Sequence, residues 1–456
     1  MSLSTITAPN EQALRPLRLV DLAPATAPLD VVSPPPVPLV DGRRVPYANL
    51  DYAASAPAVR AAAEAVAELL PRYTAVHRGA GWLSTECTRA YERARGEVAA
   101  FLGCRPDDQV IFTKHTTESV NLLASALPPR TRVVAFDSEH HANLLPWPDL
   151  VRLPAPASPR AAVASIGAAL AVLGDDAPVL IAVTGASNVT GELFPVADIT
   201  RLAHRFGARV FLDAAQLAPH RPIDVAALGV DYVAFSGHKL YAPFGCGVLA
   251  GRSDWLDAAP PHLAGGGASA LVGDATCDVT WRTGPARHEG GSPNVIGAVA
   301  LGAVCAELGA TDWQRLVDEE DALRRRLATG LARIDGVRQL HLFGADSPRV
   351  GTVAFIVDGW SAGLVAAVLS AEHGVGVRDG LFCAHPLTRR LVHEAGGDPS
   401  TTQAVRASVG LGTTVDDVDR LIAGVARLVA KGPAVPYAVI DGRYAPVDDP
   451  RRTLSF

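Results

Sequence analysis

The stretch DYVAFSGHKLYAPFGCGVL, residues 231–249, decides the fold. An apolar run of strand length, 232–235, ends in the polar turn Ser236-Gly237-His238-Lys239, and a second apolar run, 247–250, follows. Upstream, RVFLDAAQ (209–216) repeats the arrangement, with strand 209–212 and Asp213 at its end. Further out, the runs 110–112, 132–136 and 179–183 alternate with helical stretches at 117–126, 161–173, 197–206 and 224–228. Two alanine-rich helices, 57–70 and 86–102, precede them. Continuous apolar strands alternating with helices predict an α/β fold with a mainly parallel sheet covered on both faces.

A second regime begins near residue 300. A long amphipathic helix at 314–334, a strand at 350–357 and helices at 361–372 and 415–430 predict a smaller α+β domain. The expected division is a Pro-rich arm at 1–41, a segment at 42–65 packing with the small domain, a large domain at 66–300, the small domain at 301–435 and a polar tail at 436–456. Prolines such as those of Ser33-Pro34-Pro35-Pro36-Val37-Pro38 favour an extended arm.

Composition narrows the function classes. The chain has 456 residues, with 41 Lys and Arg against 47 Asp and Glu and a net charge of -6, so nothing points to nucleic acid as the main partner. Six cysteines with no CxxC pair suggest a reducing compartment, and the cytoplasm is the expected location. The apolar stretches 160–174 and 295–310 are short for a membrane span, and the first residues lack a secretory pattern. No His or Cys cluster has metal-ligand spacing. The bare glycine run Gly265-Gly266-Gly267 is read as an active-site loop rather than a dinucleotide site.

Open α/β sheets place ligands at the carboxyl ends of their strands. Lys239 sits there, and desolvation by its apolar neighbours lowers a lysine pKa and makes the amine nucleophilic. A solvated surface lysine is the competing reading. Asp213 also lies at that edge, either as a helix N-cap or as an acid partner for a ring nitrogen. A Schiff-base lysine with such a carboxylate is the pairing that pyridoxal 5'-phosphate needs.

From about residue 47 to 428 the chain resembles the class V aminotransferases of fold type I, and within them the cysteine desulfurases and selenocysteine lyases. The motifs come in order: LDYAASA (50–56), AVHRG (75–79), FTKHTTESVNL (112–122), SEHHANLLPW (138–147), ASNVTGE (186–192), FLDAAQ (211–216), SGHKLYAPFGCGVL (236–249), RHEGGSPN (287–294), GVRDGLFCAHPL (376–387) and VRASVGLGTTVDDVDRL (405–421). The resemblance implies a large domain with a seven-stranded, mainly parallel sheet, a smaller C-terminal domain and a homodimer. It makes Lys239 the covalent anchor of pyridoxal phosphate, Asp213 the partner of the ring nitrogen and Gln216 a donor to the ring oxygen. His140 matches the imidazole stacked on the ring, and Asn188 a side chain near substrate and ring oxygen. Thr116, Thr117, Ser236 and His238 match the phosphate ligands, and Ser292 a hydroxyl given to the other subunit. Thr116 and Thr117 also suit simple helix capping.

Fold type I enzymes run many reactions on one scaffold. Arg406 matches the arginine that grips the substrate carboxylate, and Arg378 a second pocket residue. A planar two-donor fork suits an α-carboxylate. Cys383 matches the cysteine that attacks the substrate sulfur, with an inert buried thiol as the alternative. The other five cysteines, Cys87, Cys104, Cys246, Cys277 and Cys305, read as inert. Relatives commonly carry polar residues or histidine before that cysteine. Here Leu381 and Phe382 make the loop apolar, Asp379 opposes a thiolate, and His385 is a candidate partner for the thiol. The reaction expected from the resemblance is L-cysteine to L-alanine, with sulfur passed to Cys383 and on to an acceptor protein or reductant. The alternatives are an aminotransferase, epimerase or C–S lyase on another amino acid, or a binding protein that kept the scaffold.

Overall fold

The computed structural model describes residues 29–77, 79–174, 176–275, 278–396 and 401–451. The first 28 residues of the expected arm and Cys277 lie outside the described residues. The first part of the chain forms α1 (Arg60–Leu69), α2 (Trp82–Phe101), β1 (Asp108–Thr113), α3 (Thr116–Ser125), β2 (Arg132–Phe136), β3 (Leu150–Leu153), α4 (Pro159–Leu173), β4 (Val179–Thr184), α5 (Val196–Arg205), β5 (Arg209–Asp213), β6 (Tyr232–Ser236), β7 (Gly247–Arg252) and α6 (Val295–Gly309). The seven strands make one sheet in the order β1-β7-β6-β5-β4-β2-β3. All pairs from β6 to β3 are parallel, and β7 alone runs antiparallel to its neighbours β1 and β6. Every residue of β4 and β6 is buried, as an apolar strand covered on both faces requires.

Helix starts follow local chemistry. Ser158 caps α4 by accepting from the Ala161 N–H, with Pro159 in the first turn. The His115 Nδ1 accepts from the Glu118 N–H at the start of α3. Gly247 lets this corner close: a Cβ there would lie 2.6 Å from the His115 Cα.

The chain then builds α7 (Trp313–Ala332), β8 (Val337–Gln339), β9 (Thr352–Val357), α8 (Ala362–His373), β10 (Arg378–Gly380), α9 (His385–Glu394), β11 (Ala404–Ser408) and α10 (Val415–Lys431). The strands form an antiparallel sheet, β8-β9-β11-β10. A second hydrophobic core lies under α7, α8 and α10, centred on Phe355, Leu369 and Leu421. Thr414 and Asp417 form a capping box that starts α10.

Three sequence expectations change. The boundary at 300 cuts through α6, whose Val295, Leu301, Val304 and Leu308 belong to the first core with α1 and α2. That helix is apolar on all sides because it is surrounded, so no polar face marks its domain. The segment 42–65 is shared: Ala48 and Leu50 enter the second core, and α1 packs in the first. The tail is not patternless. Tyr437–Ile440 (β12) and Arg443–Pro446 (β13) form a hairpin through an Asp441-Gly442 turn with both residues at positive φ. An Asp-Gly pair between alternating residues is a hairpin signal. Glu372 anchors this hairpin, accepting from the Tyr437 hydroxyl at 3.2 Å and the Ala434 N–H at 2.8 Å. The described part of the arm is also held to the body: Leu29 and Leu39 are buried, and the Val32 N–H donates to the Ala58 carbonyl. No single described helix is long and apolar enough to cross a membrane.

Candidate active site

The carboxyl ends of β4, β5 and β6 open into a cavity of about 340 Å³. Thr184, Asp213 and Ser236, the last residues of those strands, all line it. This is the edge where parallel sheets hold ligands. Every expected site residue except Ser292 lines the same space: Lys239, Asp213, Gln216, His140, Thr116, Thr117, Ser236, His238, Asn188, Arg378, Arg406 and Cys383. Ser292 is exposed on the loop before α6, beside a second cavity of about 410 Å³ lined by Gly291 and Pro293.

Lys239 is half-buried where it lines the cavity, and desolvation pulls its pKa down to about 8; Asp213 opposes that shift and Arg406 adds to it. A neutral, nucleophilic amine is therefore accessible near neutral pH. Asp213 is buried, and burial pushes its carboxyl up, against the Ala215 N–H it accepts at 2.9 Å and the Lys239 charge. A cation in front of it would bring the carboxyl back down. Burial, then Lys239, pulls the His140 pKa down to about 3. Its Nδ1 accepts from the Ala142 N–H at 3.0 Å, so this ring is neutral and its orientation fixed.

At the other end of the cavity, α3 points its N-terminus inward. The Thr116 N–H and hydroxyl both meet the Ser236 Oγ, at 2.8 and 2.7 Å. His238 lines this end too, its pKa lowered to about 4 by burial and then by Lys239. Backbone N–H groups at a helix start with hydroxyls beside them make an anion cradle. Gln216 donates to the Ala53 carbonyl at 2.8 Å.

Opposite the lysine, Arg406 is 4% exposed, and its Nε is buried without a hydrogen-bond partner among the described residues. Its Nη1 donates to the Asn188 carbonyl at 2.8 Å, and its Nη2 faces Asp51 at 3.3 Å. Arg378 lies directly across the strand pair from Arg406, and its Nη2 meets the other Asp51 oxygen at 2.9 Å. Cys383 is exposed on the loop between β10 and α9. That loop is clamped from below: the Cys383 carbonyl accepts from the His141 N–H at 2.8 Å, and the Phe382 carbonyl from Asn188 Nδ2 at 2.6 Å. The His385 ring packs edge-on to His141, with centroids 4.4 Å apart.

The resident chemistry fits pyridoxal phosphate: a half-buried lysine, a buried acid, a neutral imidazole, an anion cradle and a buried arginine line one cavity. The class-V aminotransferase family model matches residues 48–421. The chain belongs to the class-V aminotransferase family. A cysteine desulfurase of Dickeya dadantii is 38% identical over 393 residues, covering 84% of this chain and 92% of that one. A probable cysteine desulfurase 2 of Mycobacterium leprae is 38% identical over 378 residues, with 77% and 84% covered. Among solved structures, the cysteine desulfurase CsdA of Escherichia coli superposes with a TM-score of 0.71 at 33% identity, covering 84% of this chain and 94% of that one. The apo cysteine desulfurase of Thermococcus onnurineus gives 0.74 at 30% identity, with the same coverage.

Within this family scaffold, two residues escaped the sequence reading although both lie in quoted motifs. Asp51 bridges Arg378 and Arg406; an acid amid the apolar LDYAASA is its signal. Glu139, wholly buried, accepts from the Thr184 N–H at 3.1 Å and Asn143 Nδ2 at 2.8 Å, tying the His140 loop to the end of β4. Its signal is a carboxylate between Ser138 and a histidine pair just beyond an apolar strand.

Proposed function

We propose that this chain is a pyridoxal-phosphate-dependent cysteine desulfurase, converting L-cysteine to L-alanine and taking the sulfur onto Cys383. The observation that carries the reading is the exposed Cys383 thiol lining the cavity that also holds Lys239 and the buried Asp213 and Arg406. The desulfurase names of the relatives above support it.

When bound, pyridoxal phosphate supplies an electron sink for the Cα carbanion. Lys239 would anchor it, with Asp213 the acid for its ring nitrogen, His140 the imidazole for its ring, Gln216 and Asn188 the side chains for its ring oxygen, and Thr116, Thr117, Ser236 and His238 the residues that would hold its phosphate. Arg406 takes the substrate carboxylate through its guanidinium, with Arg378 beside it. The Lys239 amine, with its pKa drawn down to about 8, removes the Cα proton and returns a proton to the substrate carbon skeleton. The Cys383 thiolate then attacks the substrate sulfur. An S–S bond forms, the C–S bond breaks, and its electron pair stays with carbon, which takes up a proton. L-Cysteine plus the Cys383 thiol thus becomes L-alanine plus a Cys383 persulfide, with atoms balanced. A thiol reductant or an acceptor protein removes the terminal sulfur.

The reading extends to a homodimer in which Ser292 serves the neighbouring subunit. It is supported by the exposure of Ser292 outside its own cavity's lining and by exposed Trp82, Leu83 and Leu271. The five described cysteines are all free thiols, in keeping with a cytoplasmic location.

A second reading, a C–S lyase or aminotransferase on another amino acid, draws on the buried Phe382 ring next to Cys383. The test is to supply cofactor-loaded protein with L-cysteine and a thiol reductant and to quantify alanine and sulfide. Equal amounts support desulfuration. Pyruvate and ammonia with sulfide would place the chain with the lyases.

A further inference from the structure

We infer that Phe382 is a specificity-determining residue, whose ring walls the compartment between Arg406 and Cys383 and restricts it to small, uncharged amino-acid side chains. The inference rests on the amino-acid substrate proposed above and names the class of side chain that this site takes.

Three contacts close on one another around this ring. The Arg406 guanidinium carbon lies 5.1 Å from the Phe382 ring centroid, a cation–π stack on a buried cation. The Asn188 side chain donates to the Phe382 carbonyl at 2.6 Å, and the Asn188 carbonyl accepts from Arg406 Nη1 at 2.8 Å. Phe382, Arg406 and Asn188 therefore hold each other, and all three line the cavity.

The backbone adds a second constraint. Phe382 and Cys383 both have φ of +52°, in the left-handed region that non-glycine residues seldom enter. Such strain persists only where the surroundings over-determine it. Here the surroundings are the Asn188 clamp, the His141 N–H on the Cys383 carbonyl and the Ala384 N–H on the Leu381 carbonyl. The turn faces Phe382 inward, 8% exposed, while Cys383 beside it remains exposed.

The consequences follow from what the ring covers. The other apolar residues lining the cavity are the small Ala53, Ala54, Ala142 and Ala215 and the Cys383 thiol, so Phe382 is its one large apolar side chain among the described residues. A longer side chain directed toward Phe382 meets a ring held by the Arg406 stack on a loop that Asn188 clamps through the backbone carbonyl. A side-chain carboxylate finds an apolar face, and the nearby Arg378 is already paired with Asp51. Alanine, cysteine and serine fit without these losses.

The test titrates cofactor-loaded wild type, Phe382→Ala and Phe382→Leu with L-alanine, L-methionine and L-aspartate, following the bound cofactor's absorbance. Wild type should favour L-alanine over L-methionine by about tenfold or more, the scale of one displaced apolar contact. Phe382→Ala should bring that ratio to about threefold or less, with Phe382→Leu, which keeps apolar bulk, in between. L-Aspartate should stay weak in all three. An unchanged ratio in Phe382→Ala, or in Phe382→Leu if the alanine variant does not fold, overturns the inference. Absorbance reports binding alone, so the desulfurase reading can fail in its own alanine assay while this result stands, and the reverse.

Discussion

Arg406→Lys is the sharpest probe of the substrate end of the site. It keeps the positive charge and removes the planar fork. In the structure Nη1 donates to the Asn188 carbonyl, Nη2 faces Asp51, and the buried Nε has no hydrogen-bond partner among the described residues. A substrate carboxylate gains two charge-assisted hydrogen bonds from such a fork, and an ammonium retains one of them at best. Losing one is worth about 1.5–3 kcal/mol, or roughly a 10- to 150-fold weaker dissociation constant. The assay follows cofactor absorbance during titration with L-alanine and, in parallel, ethylamine, which has the same amine without the carboxylate. L-Alanine should weaken by that factor and ethylamine by less than about twofold. Equal weakening of both ligands would refute the assignment, because the defect would then lie in folding or cofactor position.

Other perturbations test the frame around the cofactor. Burial pushes the Glu139 carboxyl up to about 8 from 4.5, so the folded state holds its proton more tightly than the unfolded one. Stability from this group is present below pH 4.5 and is lost by about 1.4 kcal/mol per pH unit as pH rises toward 8. Glu139→Gln does not titrate, so its melting temperature relative to wild type should climb between pH 5 and pH 8; a constant difference would contradict a protonated Glu139. His238 acts in the opposite direction. Its pKa is lowered to about 4 from 6.5, so the unfolded state binds the extra proton between those values and stability falls as pH drops through that window. His238→Asn should flatten the melting profile of cofactor-free protein between pH 6.5 and pH 5. Gly247→Ala pushes a methyl to 2.6 Å from the His115 Cα at the start of α3. It should destabilise by about 1–3 kcal/mol in chemical denaturation and weaken cofactor retention on dialysis. Wild-type retention would show that the corner relaxes freely.

The large sheet was legible because its central strands are apolar on both faces and mostly alternate with helices: β4 is wholly buried and β6 likewise. The site was legible because strand ends deliver it. Thr184, Asp213 and Ser236 come from three separate strands, yet the rule about carboxyl edges brings them together. What escaped the reading has physical causes. Helix α6 is apolar on all sides, so its sequence does not say which core it joins. The 437–446 hairpin is partly exposed and short, and its evidence was one Asp-Gly pair. Asp51 and Glu139 act through long-range contacts, with Arg406 355 positions from Asp51 and Thr184 45 positions from Glu139, and local pattern does not encode such pairings. Phe382 was noticed as an apolar intrusion, but its partner Arg406 lies on another strand, and only the fold shows the ring lying on a guanidinium.

The most direct measurement is alanine formation from L-cysteine by cofactor-loaded wild type and Cys383→Ala, under a thiol reductant, with intact mass taken on the reductant-free wild type after cysteine. The account predicts alanine from wild type, a loss on the order of 100-fold or more in Cys383→Ala, as expected for a nucleophile, and one added sulfur atom on wild type that maps to Cys383. Equal alanine formation by both proteins, with no sulfur on Cys383, would contradict it.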